Sequence, residues 1–71
     1  MQTYYFDTKD GVPVRDRAGL QFPAKSAAIE YSKALANKIR DERPKGNPDL
    51  YVSVVDENGS EIHRERVYRP S

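Results

Sequence analysis

His63 is the only histidine in this chain of 71 residues, and the chain has no cysteine. A nucleophilic site needs a serine, threonine or cysteine beside a base such as histidine. His63 instead lies among charged residues, and no glycine-rich elbow for a nucleophile occurs in the chain. Without cysteine, neither a disulfide nor a thiolate zinc site can form. We therefore predict that the protein is not an enzyme and has no cofactor or metal.

Three acidic residues near the N-terminus are the other candidates for chemistry. Asp7, Asp10 and Asp16 could suggest a metal site or an acid/base pair, but their spacing does not match the Asp-x-Asp-x-Asp-Gly pattern of a calcium loop. Aspartate is also favoured in turns, because its side chain hydrogen-bonds to nearby backbone groups. The pattern favours turns over a catalytic or metal-binding cluster.

The charge balance excludes several classes of partner. Twelve basic and eleven acidic residues give a net charge of +1, so there is no electrostatic footprint for DNA or a membrane surface. Arg64, Arg66 and Arg69 form a local basic run that is typical of an edge strand and tail. No apolar run approaches ~20 residues, and the N-terminus has no basic-then-apolar signal pattern. We expect one cytoplasmic domain over residues 1–71.

The most periodic stretch of the chain, Ala24 to Glu42, predicts one helix. At 100° per residue its apolar residues form one stripe, which we expect to face the core. Pro44 must follow the end of the helix. No serine, threonine, aspartate or asparagine lies directly before Pro23, so the N-cap is poor or begins later, at Ser26. The residues of the predicted stripe are Ala24, Ala27, Ala28, Tyr31, Ala34, Leu35 and Ile39.

The remaining segments predict four strands separated by turns. They are Thr3 to Thr8, Val12 to Asp16, Leu50 to Asp56 and Ser60 to about Tyr68. The order β-β-α-β-β predicts an α+β fold, with a single helix packed on one face of a four-stranded, mainly antiparallel sheet. Pro13 places the second strand at an edge, which gives the spatial order 2-1-3-4. A short strand at Leu20 to Phe22, folding back on the second strand, would change the helix direction, so the relative direction of strands one and three stays open.

Strand parity assigns residues to the two faces of the sheet. Tyr4, Phe6, Val12, Val14, Leu50, Val52 and Val54 should face the helix. Tyr5, Arg15, Tyr51, Ser53 and Val55 should face away from it. In the last strand Ile62 belongs inside, but Arg64, Arg66 and Tyr68 then share its parity. A bulge near Arg64 to Arg66, or a strand that ends early, would correct this.

The order of these motifs resembles a family of small bacterial domains of unknown function, common in soil and plant-associated bacteria. The resemblance extends from Tyr4 to about Val67. It rests on the YYFDxxDG-like opening, Asp16-x-x-Gly19 with Phe22-Pro23, the alanine-rich helix, and Val54-Val55-Asp56-x-x-Gly59. The family usually has an acidic residue after the proline, where this chain has Ala24. The resemblance implies no activity, cofactor or catalytic residue.

The helix-free face of the sheet is the candidate binding surface. We expect Tyr5 and Tyr51 to lie side by side there, with Val55, Arg15 and His63 around them. An exposed tyrosine pair favours contact with a protein partner or a second copy of the chain. Aromatic residues flanked by cations on an open sheet also stack the bases of single-stranded nucleic acid in some proteins. A third interpretation is a cross-strand pair that only stabilises the sheet.

Overall fold

One helix packs on one side of an antiparallel sheet, as the α+β prediction requires. The computed structural model describes residues 1–10 and 13–68. Its elements are β1 (Gln2–Lys9), β2 (Pro13–Val14), β3 (Leu20–Phe22), α1 (Lys25–Glu42), β4 (Tyr51–Val55) and β5 (Glu61–Arg66). The strand order β2-β1-β4-β5 confirms the predicted 2-1-3-4 order, and β1 and β4 are antiparallel.

Two short segments share one edge of β1. β2 pairs with the C-terminal end of β1 through Thr8 and Val14, whereas β3 pairs with its N-terminal end through Tyr4 and Leu20. The prediction that Leu20 to Phe22 folds back on the second strand is therefore wrong. β2 and β3 both run antiparallel to β1, so the chain keeps its direction through the intervening loop.

The core confirms the predicted parity of the two central strands. Tyr4 and Phe6 of β1 and Val52 and Val54 of β4 are buried beneath the helix, and Val67 is buried after β5. Leu50 and Ile62 are partly buried against the same cluster. Val14 lies on the helix side as predicted, because it pairs with Thr8, which in turn lies opposite the buried Val52. It is nevertheless 63% exposed, and it lines a cleft together with Ile39 and Arg43. The predicted inward position of Val12 lies outside the described residues.

The helix is turned about its axis relative to the prediction. Its fully buried residues are Ala28, Ser32 and Ala36, while Tyr31 is 38% exposed and Ala24 and Ala34 are exposed. Small side chains let the helix approach the sheet closely, so the residues that fit against it are not the most apolar ones. Ser32 is tolerated there because its hydroxyl donates a hydrogen bond to the Ile29 carbonyl (2.6 Å).

Tyr31 lies at the flank of the helix. Its ring packs against Phe6, with ring centroids 4.8 Å apart, and against Phe22 at 5.5 Å. The predicted helix ends are confirmed. Ala24 is an N-cap without a side-chain hydrogen bond, and the helix ends at Glu42, before Pro44. No helix among residues 1–10 and 13–68 is long and apolar enough to cross a membrane.

β5 contains the irregularity that its sequence requires, but at a different position. The register shifts between Val54 and Val55, opposite Glu61 to His63, and not near Arg64 to Arg66. Beyond this bulge Arg64 pairs with Ser53 and Arg66 with Tyr51, so both arginines lie on the helix-free side and not inside. The same shift turns Val67 into the core, where its N–H donates to the Leu50 carbonyl (3.2 Å).

Hydrogen bonds connect the C-terminal end of the helix to the residues that follow β5. Arg40 lies in the last turn of the helix, and its guanidinium donates a hydrogen bond to the Val67 carbonyl (3.0 Å). The Tyr68 hydroxyl donates to the Arg43 carbonyl. These bonds hold Val67 and Tyr68 against the helix, so none of the described residues that follow β5 covers the helix-free side of the sheet.

Candidate functional site on the helix-free face of the sheet

Nine side chains in three cross-strand rows form the helix-free surface, which we call the open face. Residues paired across antiparallel strands project to the same side, so the register defines each row. We name the rows the Tyr5 row (Tyr5, Val55, Glu61), the central row (Asp7, Ser53, Arg64) and the Tyr51 row (Lys9, Tyr51, Arg66).

The open face contains a shallow depression of about 640 Å³. Its two ends are formed by Tyr5 and Tyr51, and its floor includes Ser53, which is fully buried. The depression is lined by Tyr5, Asp7, Lys9, Arg15, Asp16, Tyr51, Ser53, Val55, Gly59 and Glu61. Charges of both signs line it, so the open face is more polar than the sequence indicated.

A hydrogen-bonded network connects the central row to Glu61. The Ser53 hydroxyl donates to one carboxylate oxygen of Glu61, and Arg64 Nε donates to the other at 2.5 Å. The hydrogen bond from Ser53, followed by that from Arg64, lowers the pKa of Glu61 despite its partial desolvation. Glu61 is therefore ionised at neutral pH, and its negative charge is shared with Arg64.

Asp16 closes the β1 side of the depression. Burial alone would raise the pKa of Asp16, but hydrogen bonds from the backbone N–H groups of Gly19, Phe6 and Ala18 outweigh it and lower the pKa. The Asp16 backbone N–H in turn donates to Asp7 Oδ1 (2.9 Å). Asp16 thus occupies the gap between β2 and β3 and satisfies the Phe6 N–H, which has no strand partner at this point.

The Tyr51 row is cationic. Lys9 and Arg66 are the direct cross-strand neighbours of Tyr51, one on each side. The guanidinium of Arg64 lies 5.0 Å from the centre of the Tyr51 ring, within the range of a cation–π contact. The side chain that sequence analysis selected as an aromatic contact residue is thus surrounded by three positive charges.

The two tyrosines do not form the predicted pair. Tyr5 lies opposite Val55, whereas Tyr51 lies opposite Lys9. Lys9 is four positions after Tyr5 along β1, so at ~3.4 Å per residue the two rows are ~13–14 Å apart. The prediction that Tyr5 and Tyr51 lie side by side is therefore wrong. Local sequence patterns do not define the register between β1 and β4.

His63 is absent from the open face. It pairs with Val54, which is buried beneath the helix, so His63 lies on the helix side of the sheet. There its Nε2 lies 2.9 Å from Glu65 Oε1, and both side chains are partly exposed at the sheet edge. The bulge in β5 causes this difference, since one extra residue moves every following side chain to the other face.

Several residues of the depression were missed by sequence reasoning. Asp7 and Lys9 have the same strand parity as Tyr5, so that parity could have found them. Glu61, which lines the depression, and Arg66, which lies on the open face outside it, could not be assigned, because their face depends on where the β5 bulge falls. Arg15, Tyr5, Tyr51 and Val55 do line the depression, as expected for a common surface.

Within residues 1–10 and 13–68, no group of three histidine, cysteine, aspartate or glutamate side chains is arranged to hold a metal ion. The arrangement offers instead two partly buried aromatic rings, hydrogen-bonded carboxylates and the cations of Lys9 and Arg15 within one depression. Such a set of groups is suited to reversible binding by packing and charge complementarity.

Comparison with known proteins gives one assignment. A family model described as "Domain of unknown function (DUF6894)" matches residues 3–68. The chain belongs to the DUF6894 family. This membership confirms the resemblance to a family of small domains of unknown function, and it assigns no activity to the open face. No curated protein and no solved structure matches the chain.

Proposed function

We propose that this DUF6894 chain is a non-enzymatic interaction module that binds a protein partner through the open face. The observation that carries this proposal is the depression of about 640 Å³ between Tyr5 and Tyr51, on the side of the sheet that the helix leaves uncovered. Tyrosine is enriched in protein interfaces because its ring is apolar while its hydroxyl can be satisfied by water or by a partner.

The mixture of groups favours a protein over nucleic acid. Stacking of successive bases needs aromatic rings at neighbouring positions, whereas Tyr5 and Tyr51 are ~13–14 Å apart along the strands. Asp7 and Asp16 line the depression between them and would repel a continuous phosphate backbone. A protein segment can place different side chains at each row, so both tyrosines and both signs of charge can contribute to binding.

The proposal is tested by site-specific photo-cross-linking in cells that express the intact chain. A photoreactive residue at Arg15, which is exposed and lines the depression, should give discrete cross-linked products. The same residue at Lys38, which is exposed on the helix, is the matched control and should not give them. Tyr51→Ser should remove the products from the Arg15 position.

Circular dichroism of each variant establishes that the fold is retained. A product of twice the chain mass would identify the partner as a second copy. Absence of any product at Arg15, or the same products from both positions, would contradict binding through the open face. Products that persist unchanged in Tyr51→Ser would show that the tyrosine only stabilises the sheet.

A further inference from the structure

The positive charge on the open face is concentrated at one end, the Tyr51 row. We propose that this row binds an acidic peptide segment of the partner, through carboxylates that contact Lys9 and Arg66 on either side of Tyr51. This inference rests on the proposed function and specifies the chemistry of the partner at one end of the depression.

The charges of this row are only partly compensated. Arg64 forms an ion pair with Glu61, whereas neither Lys9 nor Arg66 forms one within the described part of the chain. The Tyr51 row itself therefore carries a charge of +2 from Lys9 and Arg66, whereas in the neighbouring rows the single positive charge of Arg64 stands against the negative charges of Asp7 and Glu61. Like charges held near one another raise the energy of the free protein, and an incoming anion relieves that repulsion.

The spacing of the two cations fits an extended segment. Adjacent strands are ~4.7–4.9 Å apart, so the strands that carry Lys9 and Arg66 lie ~9–10 Å apart with Tyr51 between them. An extended peptide places every second side chain ~6.8 Å apart on one side. Lysine and arginine side chains are long and flexible enough to cover the difference. Two carboxylates at alternate positions can therefore contact both cations at once.

Tyr51 adds an aromatic ring and a hydroxyl group to the two charges of the row. Its partly buried ring already holds the Arg64 guanidinium, and its hydroxyl can donate a hydrogen bond to a carboxylate. A segment that lies over the ring excludes water from the contacts with Lys9 and Arg66. Ion pairs become stronger when solvent is excluded, because the local dielectric constant falls.

The neighbouring row restricts the length of the anionic segment. Asp7 lies in the central row, directly beside the Tyr51 row, and Asp16 lines the same depression. These carboxylates repel a polyanion that extends along the face, but they do not oppose a short acidic segment confined to one row. The charge pattern therefore favours an acidic peptide over a nucleic acid strand.

The test is titration of the intact ¹⁵N-labelled protein with a ten-residue peptide of alternating glutamate and glycine, followed by NMR. We expect the amide signals of Lys9, Tyr51 and Arg66 to shift, with binding that weakens as salt is added. Lys9→Gln combined with Arg66→Gln should lower the affinity about fivefold to tenfold, since two ion pairs are lost. Lys38→Gln, an exposed cation on the helix, should leave it unchanged.

Arg66→Gln alone serves as a second variant, since Arg66 is exposed and its replacement should not disturb folding. The inference is overturned if Lys38→Gln weakens binding as much as the double variant does, because binding then follows net charge. It is also overturned if a ten-residue oligothymidine binds as tightly as the peptide. Absence of peptide binding with cross-linking at Arg15 intact would refute this inference alone, whereas loss of both would refute the proposed function too.

Discussion

The two Asp-x-x-Gly turns of this protein share an aspartate that accepts backbone hydrogen bonds and a glycine with positive φ, but they have different positions in the fold. Asp16 Oδ1 accepts hydrogen bonds from the N–H groups of Ala18 and Gly19, and Asp56 Oδ1 accepts them from Asn58 and Ser60. Both glycines have positive φ, +70° at Gly19 and +82° at Gly59. Glycine adopts this conformation without the steric cost that a Cβ atom brings.

The surroundings of the two turns differ. The Asp56 turn reverses the chain between β4 and β5, and an added Cβ at Gly59 would meet no atom within 4 Å. The Asp16 turn lies against β1, where an added Cβ at Gly19 would lie 2.9 Å from the Tyr5 ring. Local sequence therefore determines the shape of a turn, while the neighbouring strand determines how much the fold depends on it.

Four substitutions test this difference between the surroundings of the two turns. Gly19→Ala should have the largest effect on the free energy of unfolding. The new methyl group would lie 2.8 Å from Thr3 Cγ2 and 3.1 Å from the Tyr4 carbonyl oxygen, and the residue would retain a positive φ. Left-handed backbone costs ~1–2 kcal/mol and overpacking adds ~1–3 kcal/mol. We expect a loss of about 2–4 kcal/mol in the free energy of unfolding, measured by urea denaturation. An unchanged midpoint would contradict the close packing of this turn on β1.

Asp16→Ala should have the next largest effect. It removes the acceptor for three backbone N–H groups, including that of Phe6 in the central strand, at 3.2 Å. An unsatisfied buried donor costs ~1–3 kcal/mol, so we expect a loss of about 2 kcal/mol. Asp56→Ala is the matched control, because its two acceptor bonds are exposed and should contribute less. Equal losses from both variants would show that the bond to Phe6 adds nothing.

Gly59→Ala should have a smaller effect than Gly19→Ala. The new methyl group meets no other atom, so its only cost is the positive φ of the backbone. We expect a loss of ~1–2 kcal/mol in the free energy of unfolding, with no change in the NMR signals of β1. The difference between the two glycine variants measures the contacts of Gly19 separately from its φ angle. If the two variants lose the same free energy, packing of Gly19 on Tyr5 makes no contribution.

The smallest expected effect is a dependence of the free energy of unfolding on pH that arises from Asp16. Hydrogen bonds lower the pKa of Asp16 in the folded state, so its ionised form contributes stability above the ordinary value of 3.8. That contribution is lost as the pH falls through the lowered folded-state pKa. When the pH is lowered from roughly 5 to 2, the free energy of unfolding of Asp16→Asn should therefore fall by less than that of the wild type. Asp41→Asn, an exposed change of the same charge on the helix, is the control variant.

The parts of the fold that depend on local patterns were predictable from sequence. Strand parity places Tyr4 and Phe6 correctly because β1 has no irregularity, and Pro13 correctly indicates an edge strand. The ends of the helix follow from Ala24 and Pro44 in the same way. In each case the signal and the structure involve the same few residues.

The errors arise where a residue's position depends on distant parts of the chain. Hydrophobicity selects Tyr31 for the core, but the small gap between helix and sheet accepts Ser32 instead. The faces of His63 and Arg66 depend on a bulge that only the pairing with β4 locates. For the candidate site, parity assigns Tyr5 and Tyr51 to the correct face but not to their rows, since the register between β1 and β4 joins residues more than 40 positions apart.

The contact of the helix with the sheet through Ala28, Ser32 and Ala36 also affects how the protein responds to temperature. Apolar surface exposed on unfolding sets the heat-capacity change, and an average chain of 71 residues would show about 0.9–1.1 kcal/mol/K. Small side chains expose little such surface, so this protein should fall below that range. Its stability curve is then broad and shallow, and moderate stability persists over a wide temperature interval.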